Sequence, residues 1–295
     1  MYTHKKWIFD GSVEHEFIYN GNYGAKGEKR APKKERTIEE MRAVNQANKE
    51  KRVRRLIKSN FTEGDYFTTL TFNDDYIGSP LSDVCKLLSS FLTRMRRAYD
   101  KAGASLKYIY RVELGARKKR PHVHIILNRI DNLDKLIREK WTYGHIQFEP
   151  LRDEPETPAR LAEYITKPTK EQQIEANSLC DGDISKLIRY SCSRNLDRPK
   201  PVTKTVKNKT MKSIFNKDLK PTPGYYINKD PASLKRGVNP YTGHSYLAYE
   251  EIRLQAGQRT YAVKICECPH CHQYKFDELE CTCQIRIRRR KGRHG

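Results

Sequence analysis

The alternation of apolar and polar residues between positions 65 and 167 predicts four strands and three helices. Stretches rich in β-branched and aromatic residues predict the strands, over 65–74, 105–115, 122–128 and 145–151. Apolar residues at helical spacing, with capping and stop residues, predict the helices, over 82–101, 132–140 and 157–167. The order β-α-β-β-α-β-α predicts an α+β fold in which a central antiparallel sheet carries helices packed on one face.

Patterns are weaker on both sides of this region. Residues 1–36 show no clear periodicity and are expected to form a loop or a loosely packed arm. Thr37 and Glu40 have the spacing of a capping box, which predicts a helix up to about Lys58. The stretch PKPVTKTVKN is compatible with either a strand or a linker. We therefore predict a basic arm and helix, a central domain, an extension of that domain and a cysteine-rich segment with a basic tail, over 1–60, 61–172, 173–255 and 256–295.

The net charge of the chain indicates which kinds of molecule it is expected to bind. The 295 residues carry a formal net charge of +22 with a pI near 9.6, so nucleic acid or an anionic membrane surface is the expected partner. A membrane is disfavoured because no apolar run reaches about 18 residues and the N-terminus lacks the layout of a signal peptide. A cytoplasmic protein with reduced thiols is therefore expected.

The stretch RPHVHIILN holds the first candidate for chemistry. On a strand, His122 and His124 project to one side, while Val123, Ile125 and Leu127 project to the other, into a core. A hairpin with the preceding strand would bring Glu113 beside His122. Two imidazoles and a carboxylate suit Mn²⁺ or Mg²⁺ acting on phosphate. The alternative is a pair of surface histidines on an amphipathic strand, with Glu113 as an exposed charge at a strand end.

The helix that begins near Pro158 holds the second candidate. Tyr164 and Lys167 are three residues apart and are expected on one helical face, as a nucleophile and its helper. A phenol has a pKa near 10 and must lose its proton during attack, which nearby cations favour. Attack on a phosphodiester would leave a phosphotyrosine at one DNA end and a free hydroxyl at the other. The alternative is that Tyr164 is an amphipathic residue covering the sheet.

Together these motifs resemble the HUH endonucleases, and more narrowly the rolling-circle replication initiators of plasmids and phages. A threonine-rich strand (Phe67–Phe72), the pair His122-Val123-His124 and the helix with Tyr164-Ile165-Thr166-Lys167 stand in the family's order, over roughly residues 40–200. The resemblance implies a ferredoxin- or RRM-like nuclease domain over 61–172. It also implies a metal-dependent nickase in which Glu113, His122 and His124 hold Mn²⁺ or Mg²⁺ and Tyr164, helped by Lys167, forms a 5′-phosphotyrosine intermediate.

The implied substrate is single-stranded or locally melted origin DNA, and the implied partners are a host helicase and polymerase. A conjugative relaxase or a transposase would use the same chemistry on the same fold. A DNA-binding regulator that contains zinc and catalyses nothing is the alternative from another functional class.

Two further features concern metal and DNA binding near the ends of the chain. The cysteine pairs Cys268–Cys271 and Cys281–Cys283 predict a small structural Zn²⁺ ribbon, with a reduced and unliganded tail as the alternative. The expected phosphate contacts are basic residues of the first helix, of the connection between the second and third strands, and of the C-terminal tail: Arg52, Arg54, Arg55, Arg117, Lys118, Lys119, Arg120, Arg288, Arg289 and Arg290.

Overall fold

A computed structural model describes residues 1–19, 37–115, 120–167, 190–228, 230, 233–239 and 244–254, and the backbone of 263–265 and 274–276. Contacts group the chain into two units: a central unit, Arg36–Pro199, and a terminal unit made of Met1–Glu35 and Lys200–Gly295. The predicted cysteine pairs and basic tail, and Arg117, Lys118 and Lys119, lie outside the described residues.

The described elements follow one another in chain order. They are β1 (Tyr2–Ile8), β2 (Ser12–Tyr19), α1 (Ile38–Asn60), β3 (Tyr66–Thr71), a 3₁₀ turn (Asp74–Tyr76), α2 (Leu81–Lys101), β4 (Tyr108–Leu114), β5 (Pro121–Leu127), α3 (Leu133–Lys140), β6 (Ile146–Pro150), α4 (Thr157–Thr166), β7 (Tyr190–Cys192), β8 (Val202–Val206), α5 (Asn208–Phe215), β9 (Tyr225–Ile227), β10 (Lys235–Val238), β11 (Ser245–Arg253), β12 (Val263–Ile265) and β13 (Tyr274–Phe276). The α+β class is confirmed.

The central unit contains a five-stranded antiparallel sheet with the order β6-β3-β5-β4-β7. The histidine strand β5 therefore lies in the middle of the sheet, between β3 and β4. The predicted hairpin of β4 and β5 is present, and Glu113 is directly opposite His122 in its register. Thr71 and Thr69 of β3 are opposite His122 and His124 from the other side.

Helices cover both faces of this sheet, so the prediction that they pack on one face is wrong. On one face, α2 and α3 pack on Val112, Val123 and Ile125. On the histidine face, α1 and α4 pack on a cluster that includes Phe67, Ile109 and Ile126. The physical reason is that β3, β4 and β5 each also carry an apolar residue on the histidine face. Burial of those residues requires a second helical layer.

The terminal unit contains an antiparallel sheet with the path β10-β11-β2-β1-β8, with β9 added beside β11, and β12 pairs with β13 as a separate ladder. Residues 2–19 were expected as a loop or arm, and this was wrong: they form a hairpin. Asp10 and Gly11 make its turn, closed by a hydrogen bond from the Phe9 N–H to the Ser12 carbonyl (2.8 Å). An Asp-Gly pair between segments rich in β-formers is a hairpin signal that the periodicity argument overlooked.

The PKPVTKTVKN stretch, left open between strand and linker, contains strand β8. It pairs with β1, so the described segments from the two ends of the chain share one sheet. This grouping differs from the predicted regions, in which residues 1–60 stood apart from 173–255. Helix α1 instead belongs to the central unit. No helix among the described residues is both long enough and apolar enough to cross a membrane.

Candidate functional site

The candidate site lies on the face of the central sheet that α1 and α4 partly cover. Strand alternation puts Glu113 and Arg111 of β4 on the same side as His122 and His124 of β5, because Glu113 is opposite His122 and Arg111 is opposite His124. The register places Glu113 with the histidines.

His124 is the centre of the contacts. Its Nδ1 is 3.1 Å from the Thr69 hydroxyl oxygen. Its Nε2 is 3.5 Å from Glu113 Oε2 and 3.4 Å from the Tyr164 hydroxyl oxygen. The imidazole is 6% exposed, so its orientation is fixed by packing as well as by these partners. His124 thus joins the carboxylate, the phenol and the threonine strand in one contact network.

Tyr164 is positioned from two directions. Its ring meets the rings of His124 and Phe67 edge to face, with centroid distances of 4.9 and 5.6 Å. The backbone of its helix is held by Arg111, whose Nη1 donates to the Tyr164 carbonyl at 3.2 Å and also to the Lys167 carbonyl. The side chain of Tyr164 remains 48% exposed, so the phenol is both anchored and open to solvent.

Helix α1 supports the far end of α4. Gln46 Nε2 donates to the Thr166 hydroxyl at 3.0 Å, and Lys49 Nζ donates to the Thr166 carbonyl at 3.4 Å. The last carbonyls of a helix have no partner inside the helix and need donors from elsewhere. Arg111 from the sheet and Lys49 from α1 supply them. The basic character of α1 therefore has a structural use at this end, besides any contact with DNA.

The site shifts the protonation equilibria of its groups. The hydrogen bond with His124 lowers the pKa of Glu113, and Arg111 adds to that effect. Burial lowers the pKa of His122, helped by the neighbouring His124, so His122 favours the neutral form that can bind a cation. Burial raises the pKa of Tyr164, and Glu113 raises it further, whereas Arg111 acts in the opposite direction.

Glu113, His122 and His124 are side chains of the kinds that bind divalent cations. Glu113 is ionised, and the contact of His124 Nδ1 with Thr69 leaves its Nε2 directed toward Glu113. His122 Nδ1 is buried and has no hydrogen-bond partner among the described residues. Gly115 leaves room for that ring, since a Cβ there would lie 3.3 Å from His122 Nε2. As they stand, however, no three ligating side chains of the described residues are gathered closely enough to hold a metal ion.

Lys167 differs from its prediction. It follows the last residue of α4 in an extended conformation (φ −76°, ψ 122°), so it does not share a helical face with Tyr164. The next residue in the sequence is proline, which disfavours the helical conformation of the residue before it. The Lys167 ammonium lies 2.7 Å from Glu163 Oε1, and that hydrogen bond raises its pKa.

Arg111 is the cation that the sequence argument missed. It is 1% exposed and lies in the middle of a strand, two residues before Glu113 and on the same face. The signal that could have found it is an arginine within YIYRVEL, at a position that alternation places beside the histidines. A cation that is nearly fully buried needs acceptors, and here they are the carbonyls at the end of α4.

The predicted DNA-contacting residues that lie in described segments differ in exposure and in the partners they have within the protein. Arg52 is exposed on α1 and hydrogen-bonds to Tyr190. Arg54 and Arg55 are half-buried on the same helix. Arg120 donates to the Phe72 carbonyl at 3.2 Å and pairs with Asp74, so part of its donor capacity serves the strand end.

Comparison with known proteins agrees with this picture over part of the chain. Residues 65–169 match the family model of the ORF2 type of replication-associated protein, a rolling-circle replication initiator family. The match spans the threonine strand, the histidine strand and the tyrosine helix. No curated protein and no solved structure matches the chain. Over this segment the resemblance to rolling-circle replication initiators that the motifs predicted is thus confirmed.

Proposed function

We propose that the central unit is a metal-dependent nuclease that cuts one DNA strand by attack of Tyr164 and remains attached to the 5′ end. The observation that carries the proposal is the distance of 3.4 Å between the Tyr164 hydroxyl and His124 Nε2, with Glu113 3.5 Å from the same nitrogen. The phenol thus lies beside an imidazole that is paired with a carboxylate, and these two side chains are of the kinds that bind a divalent cation for attack on phosphate. The family match supports the initiator role in which such a cut would be used.

The proposed step is a transesterification. The Tyr164 oxygen forms a bond to phosphorus, the bond from phosphorus to the 3′ oxygen breaks, and that oxygen takes up a proton. The Tyr164 proton leaves as the bond forms and passes to solvent, to which the phenol is open. Because one phosphodiester replaces another, the reverse reaction can rejoin the strand. No external energy source is needed for either direction.

Glu113, His122 and His124 are the residues that would hold Mn²⁺ or Mg²⁺. When bound, such an ion would polarise the scissile phosphate and neutralise part of the negative charge that builds up on its oxygens. Glu113 in its ionised form raises the pKa of Tyr164, so Glu113 hinders phenol ionisation while its charge is uncompensated. Compensation of that carboxylate by a cation is therefore expected to help Tyr164 lose its proton.

Two residues of the chain act by positioning. Arg111 fixes the end of α4 and so fixes the height of the phenol above the sheet. Thr69 holds His124 Nδ1 and so orients the ring with Nε2 toward Glu113 and Tyr164. Lys167 stays a proposed helper at the phosphate, although its present partner is Glu163.

The test uses a single-stranded DNA from the region flanking the gene, labelled at either end, with Mn²⁺ or Mg²⁺. The 3′ label should travel with the denatured protein, while the 5′ label should appear on a shortened free strand, because only the downstream fragment keeps the 5′-phosphotyrosine. Tyr164→Phe and addition of a chelator should abolish both products. Tyr246→Phe, an exposed tyrosine of the terminal unit, is the control and should cleave as the wild type does.

Three outcomes would contradict the proposal. Binding without cleavage of every flanking DNA would favour a non-catalytic regulator. Cleavage that survives Tyr164→Phe would show that another residue is the nucleophile. A protein-linked 5′ label would reverse the polarity proposed here.

A further inference from the structure

A second cationic surface lies on the central unit, in a groove between α2 and α3. The groove has a volume of about 540 Å³. Its described lining consists of four basic side chains and three aliphatic ones: Arg94, Arg97, Lys101, Lys140, Ala98, Ala102 and Leu136. None of these lining residues is acidic. The two alanines keep the floor low between the basic side chains, so the groove is open and positively charged.

Helix geometry puts the α2 cations in a row. Arg94, Arg97 and Lys101 are separated by three and four residues, so they share one face of the helix. With a rise of about 1.5 Å per residue, the row extends roughly 10 Å along the axis. Arg97 and Lys101 are exposed, and Lys140 faces them from the last residue of α3.

Arg94 fixes the two walls relative to each other. Its Nη2 donates to the Lys140 carbonyl at 2.9 Å and to the Tyr143 hydroxyl at 3.1 Å. Its guanidinium also lies over the Tyr143 ring, 5.6 Å from the centroid. The cationic groove is therefore held by a charged residue at its base, which makes its shape a property of the fold.

The groove is separate from the candidate nuclease site. Helices α2 and α3 pack on Val123 and Ile125, whereas His122 and His124 alternate to the opposite face of β5. A ligand in the groove therefore lies behind the sheet as seen from Tyr164. Cations there cannot stabilise the reacting phosphate directly, so an anion bound in the groove would be another part of the DNA or another polyanion.

We propose that the groove between α2 and α3 binds the phosphate backbone of duplex DNA. Charge complementarity supports a polyanion, since the lining has four basic side chains. Lys140 is paired with Glu139 at 2.6 Å, so the exposed Arg97 and Lys101 are the main candidates for phosphate contacts. The described lining has no aromatic residue, whereas proteins that hold single strands combine cations with aromatic stacking surfaces. Backbone contacts by lysine and arginine alone are the mode of sequence-independent duplex binding. The inference rests on the proposed function in one respect only: that function identifies the duplex as the DNA that flanks the cleaved strand.

A second explanation for the same charges is helix stabilisation. Lys101 and Lys140 are the last residues of their helices, where a cation interacts favourably with the helix dipole. That explanation predicts that removal of the charges lowers thermal stability and leaves DNA binding unchanged. The two explanations can be separated because they predict opposite results in binding.

The test compares two double variants that remove the same charge from α2. Arg97→Gln with Lys101→Gln removes two cations of the groove. Lys86→Gln with Arg96→Gln removes two cations of the same helix that do not line it. Binding of a labelled duplex of arbitrary sequence is measured over a range of salt concentrations, together with the unfolding midpoint of each variant. A single strand of the same length is the second arm.

Each duplex phosphate contact contributes about 0.9 to the magnitude of the slope of log affinity against log salt concentration. In the groove variant, which lacks two such contacts, the magnitude of the slope should therefore fall by about 1.8. The control should lose less than about half of that amount, and the single strand should be affected less than the duplex. Equal losses in both variants, an unchanged slope in the groove variant, a larger effect on the single strand or no duplex binding by the wild type would overturn the proposal. The readout needs no cleavage, so failure of the nuclease proposal leaves it intact.

Discussion

The buried cation Arg111 offers the sharpest test of how the tyrosine helix is held. We consider the substitution Arg111→Met, which keeps an unbranched side chain of similar length and removes the charge and its donors. The change withdraws the donor from the carbonyls of Tyr164 and Lys167 and removes the positive neighbour of Glu113. The first consequence acts on the end of α4, and the second acts on the carboxylate that influences the Tyr164 phenol. The substitution should therefore affect stability and the geometry of the phenol together.

The expected cost follows from these contacts. Two hydrogen bonds from a charged donor contribute about 1.5–3 kcal/mol each, or about 3–6 kcal/mol in total. Methionine avoids the desolvation of a guanidinium that is 1% exposed, which offsets part of this loss. We expect a net decrease of about 2–4 kcal/mol in the free energy of unfolding of the central unit. Arg152→Met, at an arginine whose side chain is 74% exposed and which pairs with Glu154, should cost less than about 1 kcal/mol.

The two tryptophans allow the central unit to be followed alone. Trp7 belongs to the terminal unit and Trp141 to the core of the central unit, so a Trp7→Phe background leaves Trp141 as the reporter. Urea unfolding of Arg111→Met and Arg152→Met in that background gives the two free energies by linear extrapolation. If the two variants differ by less than about 1 kcal/mol, Arg111 does not cap α4 in the way inferred here. An active enzyme would give a second readout, since loss of Arg111 should raise the pKa of Tyr164 and move the rate profile to higher pH.

Two further predictions concern a pair of neighbouring threonines and the half-buried His4. Thr69→Val removes the partner of His124 and should weaken Mn²⁺ binding, measured by calorimetry, by about 10–100-fold. Thr68→Val is the control, because the buried Thr68 hydroxyl has no hydrogen-bond partner among the described residues. This variant should bind Mn²⁺ as the wild type does. Equal affinities in both variants would refute the role of Thr69. Burial lowers the pKa of His4 from 6.5 to about 4, so the folded state resists protonation. The wild type should then lose stability as pH falls from 6.5 to about 4, and His4→Gln, followed by Trp7 fluorescence, should lose less; parallel curves would contradict this.

Four of the five strands of the central sheet were predictable because each has a strong pattern. The fifth, β7, has only three residues and was not predicted. The hairpin register that brings Glu113 opposite His122 follows from two adjacent strands of equal length joined by a short basic segment. The alternation of β5 also gave the correct faces for His122 and His124. The two-sided helical cover was not predicted because the histidine face of β5 carries only one apolar residue, Ile126, beside its two histidines. An apolar residue beside polar ones is easily overlooked, yet its burial decides whether a helix lies above it.

The contacts that position the tyrosine could not be read from local patterns. Arg111 and its acceptors on α4 are more than 50 residues apart in the chain, and the acceptors are backbone carbonyls that have no sequence signature. The same holds for Gln46 and Lys49, which reach Thr166 from α1. A motif therefore identifies the residues that carry the chemistry. The residues that set the distances between them are brought into place by tertiary packing and have no local signature.

Charge balance in the site explains why Arg111 and Glu113 belong to one strand. Glu113 raises the pKa of Tyr164 and Arg111 lowers it, so the two neighbours on β4 oppose each other at the phenol. Without Arg111, the ionised Glu113 would act on a phenol whose pKa burial already raises. Without Glu113, the proposed cation site would lose its carboxylate. Two residues of opposite charge at alternate positions of one strand therefore allow the carboxylate to stay ionised for the proposed cation while limiting its effect on the pKa of Tyr164. The sequence YIYRVEL contains this pairing, and only the position of α4 above it shows which phenol it serves.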